Sequence, residues 1–508
     1  MLNSTLMLNF DKKLGDFELG LMVGHSYEQT ESNKSTQLGK KFITPGLFSL
    51  NNIDNINKTS NMYESKKRLI SAFGEFRFAY KNIAYLNVTG RNDWSSTLIK
   101  ENRSFFYPSV SGSFVFTELL PNQSILKFGK LRASWAQVGK DASVYATTTV
   151  LDPPATTIGG GYKDSWSSGN YNLEPEITTS WEVGADLRFL EGRLGIDFTY
   201  YQMKSDKQIL NEVRMTNTTG YILHNVNWGW VENKGIEAVI SATPIKAKDW
   251  EWNTQFNIAH NNGTVDGLPV ELMYVTEVQT GCAKPASRNN GGNFFGLVGQ
   301  HWKRNDSGQL LIGEDGYPIT STDQTNDVGD REVDVQIGFN NDIKYKDWNL
   351  SFLLDCRIGG DIYNATEYEM VKAGTSKLTA NRGTKHVFDG VLSDGSKNAK
   401  EVVLNQYYYT DIYAAEADHF VTRTNWLRLR SLSLSYTFPK TILKQISFVK
   451  HLQLSLTADN LFVITNYKGM DPEVSAGGAG VMGAGSSGID FCGVPSTRSF
   501  SFGINVKF

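Results

Sequence analysis

No run of eighteen or more apolar residues occurs in this 508-residue chain, so it offers no transmembrane helix. Its three cysteines, Cys282, Cys356 and Cys492, lie far apart without CxxC spacing, which excludes a zinc knuckle and a disulfide framework; at most one pair could form. The seven histidines, His25, His224, His260, His301, His386, His419 and His451, fall singly, with neither HxxxH nor HExxH spacing, and no serine nucleophile elbow is present. No catalytic centre, metal site or cofactor is therefore expected. A formal net charge of −3 gives no broad attraction for nucleic acid. The opening Met1-Leu-Asn-Ser-Thr has no basic stretch, apolar run or small-residue cleavage site. If the chain belongs to an exported membrane protein, its beginning is expected to lie further upstream.

What the chain has instead is alternation. At its end Phe500, Phe502, Ile504, Val506 and Phe508 share one face of an extended strand, and Ser501, Gly503, Asn505 and Lys507 share the other. A strand of about 9–11 residues crosses a bilayer at a tilt. About fifteen segments of this kind can be counted, each near the ~10-residue signature of a membrane strand. Trp181, Val183, Ala185, Leu187 and Phe189 turn through Glu191-Gly192 into Leu194, Ile196, Phe198 and Tyr200, and Val335 to Tyr345 turn at Lys346-Asp347 into Leu350 to Ile358. Leu427 and Leu429 have the opposite parity to Leu432, which predicts a β-bulge near Arg430. The negative mean hydropathy fits, because a barrel with a lipid-facing outside and a wet inside averages to a polar value.

Short and long connections alternate. The long ones fall at roughly 27–64, 139–177, 207–230, 262–331, 361–422 and 465–496, the pattern of an outer-membrane barrel with long loops outside and short periplasmic turns. The expected fold is all-β, an antiparallel up-and-down transmembrane barrel. Fifteen strands do not close evenly, so earlier strands are expected upstream. A soluble or surface adhesive or carbohydrate-binding β-protein is the alternative, and it would need its apolar ribbons covered by a second layer.

Several segments resemble the SusC/RagA-type TonB-linked outer-membrane transporters. They are Gly90-Arg-Asn-Asp93-Trp94 with Phe106-Tyr-Pro108, Asn172-Leu-Glu-Pro175-Glu176 through Trp181-Glu182-Val-Gly184, Asn233-Lys-Gly235-Ile-Glu237, Leu427 through Pro439, and Asp459-Asn460-Leu461 through Asp471-Pro472-Glu473. The resemblance covers nearly the whole chain. It implies a barrel of roughly 22 strands preceded by a signal peptide, a TonB box and a plug, none of which is found here. On that reading residues 1–508 are the C-terminal part of such a barrel, and a plugless porin-like remnant is the runner-up. The resemblance further implies an outer-membrane location in a Gram-negative bacterium and TonB-driven uptake of glycan or peptide oligomers. It implies a SusD-like surface lipoprotein over the loops and contact with the TonB complex through the upstream region.

Candidate ligand contacts are the loop aromatics Tyr162, Trp166, Tyr171, Tyr221, Trp228 and Trp230, whose flat rings suit sugar faces and peptide side chains but also suit a membrane-interface girdle. Asn172, Pro175, Glu176, Trp181 and Glu182 are read as a tied loop base, since Pro175 stops regular structure just before Trp181 opens a strand. Asp459 and Asn460 are read as capping a strand end. Asp323, Asp327 and Asp330 lack EF-hand spacing and are read as solvated loop residues rather than calcium ligands. Gly478-Ala-Gly480-Val-Met-Gly483 matches GxGxxG by letter, but no helical pattern follows it to carry a dinucleotide.

Overall fold

The computed structural model describes residues 1–508 apart from 121–124, 153–160, 217, 219, 275–280, 445–447 and 477–486. Gly478 to Gly483 thus lie outside the described residues. Fifteen strands run in chain order: β1 Leu2–Leu14, β2 Phe17–Gly39, β3 Lys58–Tyr80, β4 Ala84–Ser95, β5 Ser104–Val115, β6 Leu126–Lys140, β7 Glu176–Phe189 and β8 Leu194–Asp206. They continue as β9 Trp230–Lys246, β10 Trp250–Asp266, β11 Val335–Tyr345, β12 Trp348–Ile358, β13 Trp426–Thr437, β14 His451–Thr465 and β15 Ser499–Lys507. Each is hydrogen-bonded to its neighbours in chain order in one antiparallel sheet, and the short strand Gly292–Asn293 pairs with β10 as a sixteenth member.

Register turns the alternation of single strands into rows. Ile240 faces Phe256, Phe256 faces Phe339, and Phe339 faces Leu354. Leu434 faces Leu456, which faces Phe502. The Phe256 and Phe339 rings stack at 4.2 Å between centroids. On the opposite face Asn257, Gly338, Asp355 and Arg428 form a polar row. Phe500, Phe502 and Ile504 keep 60–71% of their surface exposed. An apolar face this continuous exceeds the few hundred Å² that a water-soluble monomer presents, and lipid is the solvent that suits it. At the short-turn ends Trp250 packs on Tyr345 (4.4 Å) and Trp348 on Tyr436 (4.7 Å), aromatic pairs of the kind that favour a membrane–water interface.

Three sequence expectations need correction. Residues 27–64 are not one loop: β2 and β3 run 23 residues each and pair from Phe17–Tyr80 to Gly39–Lys58. Their outer parts are polar on both faces, so no apolar alternation marks them as strand. Asp459 and Asn460 do not end a strand, because β14 continues to Thr465. Asn460 instead sits in a bulge at φ 53°, where the β13–β14 register shifts between Leu429 and Ser431. The same shift on the β12 side confirms the bulge at Arg430. The last strand spans Ser499–Lys507 and leaves Phe508 just beyond it.

The chain divides into two compact units. One comprises Met1–Phe114, Arg132–Trp181 and Lys204–Gly229, and its loops close over a small core of Leu98, Phe105, Ala142, Ala146 and Leu173. The other comprises Val115–Leu131, Glu182–Met203 and Trp230–Phe508. Its loops build a larger core around Tyr363, Phe420, Leu297 and Ile312, together with helix α1 (Ala365–Lys372), which Asn364 caps by accepting from the Glu367 amide at 2.8 Å.

All three cysteines are free. Burial pushes the Cys282 thiol up to about 12, against the bond from Tyr363 that lowers it, whereas Cys492 is exposed. Thiolate is the reactive species. A water-soluble maleimide at neutral pH is therefore expected to label Cys492 and to leave Cys282 unmodified until the loops unfold; labelling of Cys282 in the folded protein would contradict the loop core.

Candidate functional site

In the first unit, the segment after Asn172 ties the loop bases together. Leu173 is fully buried, and the Asn102 amide donates to its carbonyl at 3.0 Å. The Glu174 amide donates to the Asn227 side chain at 2.9 Å, which returns a bond to the Glu174 carbonyl at 2.8 Å. Glu176 is buried; it accepts from the Ile209 amide at 2.8 Å and from Lys140 at 3.1 Å. Trp181 points to the apolar face with Val183, and Glu182 to the polar one.

Of the aromatic candidates in this unit, Tyr162, Trp166 and Tyr171 are 65–73% exposed. Tyr221 and Trp228 are half-buried. The Trp166 carbonyl accepts from the Ile222 and Leu223 amides at 3.0 and 2.9 Å, which joins the two loops through backbone, and the Trp228 amide donates to Gln208 at 2.9 Å within the second loop. Trp230 opens β9 in the other unit.

The second unit holds a charged network between two of the segments quoted above, Leu427 through Pro439 and Asp471-Pro472-Glu473, whose pairing the sequence does not reveal. Arg428 is 3% exposed and pairs with Asp471 at 2.5 Å and Glu473 at 2.9 Å. Arg430, displaced by the bulge, pairs with Asp355 at 2.6 Å and Glu473 at 2.5 Å. Asp471 also accepts from the Glu473 and Ser496 amides, each at 3.0 Å. Although burial pushes its carboxyl up, those amides and Arg428 hold it below the ordinary value. Pro472 follows Asp471 and forms part of the wall of an adjoining recess.

That recess lies on the polar face beside Arg357 and Trp426, which face each other across β12 and β13. Two adjoining cavities of about 150 and 230 Å³ share Arg331, Val333, Arg357 and Ser487. The Arg357 guanidinium lies 5.6 Å from the Trp426 ring. Both the Arg357 Nε and the Trp426 Nε1 donors are buried without a hydrogen-bond acceptor among the described residues. Burial pushes the Arg331 guanidinium down to about 10 against the pull of Asp330, and raises the Asp330 and Glu332 carboxyls. The one signal for it in the sequence is the pair of arginines in Leu427-Arg-Leu-Arg, charges inside an otherwise uncharged strand.

Gly235 shows why its motif needs glycine. The Tyr201 ring crosses Gly235 so closely that a Cβ there would collide with it, and the Tyr201 hydroxyl donates to Asn261 at 2.9 Å. Gly235→Val is expected to evict the ring and cost about 1–3 kcal/mol as overpacking, read as a lowered heat-modification temperature; an unchanged temperature would contradict the contact. Glu237 lies two residues on, on the same polar face.

Metal-ligand geometry is sparse. Asp323, Asp327 and Asp330 are each used locally, by Thr325, Arg288 and the Glu332 amide. Among the described residues only His301, Glu416 and Asp418 converge, a grouping invisible in sequence because 115 residues separate the first two. Glu416 there accepts from His301 Nδ1 and from the Trp302 amide, each at 2.6 Å, so its oxygens are already engaged.

Residues 2–461 match the family model described as TonB dependent receptor-like, beta-barrel. The chain belongs to this family. Its relatives include TonB-dependent receptor P3 of Formosa agariphila, 25% identical over 99% of this chain and 52% of the relative, and TonB-dependent receptor SusC of Bacteroides thetaiotaomicron, 26% identical over 100% and 50%. The chain thus spans about half the length of the curated relatives it matches. A structure of the RagAB peptide transporter matches the fold with a TM-score of 0.77 at 18% identity, covering 100% of this chain and 55% of that one.

Proposed function

We propose that this chain supplies barrel wall and outer loops to a TonB-dependent importer of the outer membrane, and that the cargo is a glycan or peptide oligomer delivered with a SusD-like surface lipoprotein. Family membership carries the reading. Supporting it are the separation of an apolar and a polar sheet face, the alternation of short turns with long ordered loops, and the recess at Arg357 and Trp426, whose acceptor-free donors suit a hydrogen-bonding solute. The exposed rings of Tyr162, Trp166 and Tyr171 are proposed as a first contact for such a solute, and Tyr221 and Trp228 as supports for the loops that carry them.

The test is uptake of fluorescent oligopeptide and oligosaccharide pools by cells with and without the intact protein, in backgrounds with and without TonB. Loss of uptake of one pool in both deletions is expected; uptake indifferent to both would overturn the reading. Trp166→Ala with Trp228→Ala is expected to weaken cargo binding about tenfold or more, on the ~1–3 kcal/mol scale of a stacked ring. Unchanged affinity would remove the aromatic contact.

A further inference from the structure

We propose that the recess at Arg357 and Trp426 is a subsite for a single carboxylate, and hence that the cargo of the importer proposed above is acidic. The subsite stands on geometry; only its assignment to imported cargo rests on that reading.

The recess lies at the long-loop ends of β11, β12 and β13. Gln336 is the second residue of β11, Arg357 the last but one of β12 and Trp426 the first of β13. Gln336 faces Arg357 and Arg357 faces Trp426, so the three share the polar face. The chain around them is fixed: the Gly359 amide donates to the Asn425 side chain at 2.9 Å, and the Thr424 amide donates to the Gly360 carbonyl at 2.9 Å. Gly360 turns at φ 86°, where a Cβ would press on the Arg331 and Glu332 carbonyl oxygens at 3.1 and 3.2 Å.

Arg357 carries the charge that these walls leave unmatched. The carboxylates of Glu332, Asp361 and Glu473 line the two cavities, and each is turned to other partners. Glu473 holds Arg428 and Arg430, Asp361 accepts from the Asp330 amide at 2.7 Å, and Glu332 accepts from the Gly263 amide at 2.7 Å and the Asn261 side chain at 2.5 Å. Arg331 donates to the Ser487 carbonyl at 2.7 Å. The Arg357 guanidinium has neither ion pair nor hydrogen bond among the described residues, and it lies over the Trp426 ring at 5.6 Å. Arg428 and Arg430 stand 5.9 and 5.3 Å from the same ring, but both are already neutralised by carboxylates. Trp426 is 3% exposed, and its Nε1 donor also lacks an acceptor there.

An uncompensated cation beside an open neutral donor is complementary to an anionic acceptor. Arg357 is only partly buried and lines both cavities, so a solute can reach it. A carboxylate is planar and takes two parallel bonds from a guanidinium. A dianion such as phosphate is disfavoured, because Glu332, Asp361 and Glu473 border the same space. Size agrees: cavities of about 150 and 230 Å³ fall short of the ~300–1,000 Å³ that houses a whole small ligand. The recess therefore takes one acidic group of an oligomer, either a peptide carboxyl or the carboxyl of a uronic acid sugar.

The experiment measures binding to the intact protein by calorimetry, with two pairs of probes that differ only at the carboxyl group: tetra-alanine with its methyl ester, and tetragalacturonate with its methyl ester. A preference of about tenfold or more for acid over ester is expected in at least one pair, and the pair that has it tells a peptide source from a sugar one. Arg357→Gln is expected to bring the affinity for the acid down to that for the ester. Trp426→Phe, which keeps a ring and drops the N–H, is expected to lower the preference about threefold. No preference in either pair, or a preference that survives Arg357→Gln, would overturn the subsite. Should Arg357→Gln fail to insert, Trp426→Phe decides, and an unaltered preference in it would overturn the subsite as well. Uptake of the same probes by cells with and without TonB separates the two readings. TonB-dependent uptake without acid preference in binding sinks only the subsite, and acid preference in binding without TonB-dependent uptake sinks only the importer.

Discussion

Replacing Arg428 with methionine is expected to destabilise the second unit by about 3–5 kcal/mol, the cost of leaving one member of a buried ion pair without its partner. Arg428 and Asp471 side chains are only 4% and 6% exposed, and Glu473 lies within 2.9 Å of the same guanidinium. Removing the arginine strands Asp471 with two backbone donors and no counter-charge. Residues 466–476 should then be cut by protease well before the strands unfold. The double variant Arg428→Met with Asp471→Asn should recover much of the loss, since neither charge remains to be desolvated; equal damage in single and double variants would show that the pair is not the cause.

Asp471, held chiefly by the Glu473 and Ser496 amides and then by Arg428, also sets an acid sensitivity. The Asp471 carboxyl is held below its ordinary value of 3.8, so the stability it contributes is present above that value and is lost as the pH falls through the lower, folded one. Protection of residues 466–476 should therefore fade below about pH 4 in the wild type, and this step should be absent in Asp471→Asn. Protection that is flat with pH in both proteins would exclude Asp471 as its source.

Phe339→Arg is expected to cost about 2–4 kcal/mol in membrane stability, the figure for a cation at the lipid face near mid-bilayer. Phe339 lies midway along β11, stacked on Phe256 at 4.2 Å and edge-on to Phe352 at 6.2 Å. Asn340 is its neighbour on the opposite face, beside Gln255 and Leu353. Asn340→Arg should cost less than about 1 kcal/mol if that face is wet. Urea midpoints of the folded protein in lipid vesicles measure both. Equal costs for the two arginines would remove the assignment of faces, whatever the family.

Strands and their faces are legible from local pattern alone. A two-residue period needs no distant partner, and Phe500, Phe502 and Ile504 cannot share a helix face. The bulge at Arg430 is legible for the same reason, as a change of parity between Leu429 and Leu432. What depends on partners distant in the chain emerges only from the fold. The ribbon of β2 and β3 beyond Gln29 carries no apolar alternation, so only cross-strand pairing reveals it. Asn460 reads as a strand-end cap until the β13–β14 register places it inside a strand. Arg428 meets Asp471 across 43 residues, and Arg331 and Arg357 share their recess only because β11 and β12 converge with the final loop. Patterns of solvent preference are written residue by residue, whereas charge pairing and cavities are written by which segments the sheet brings together.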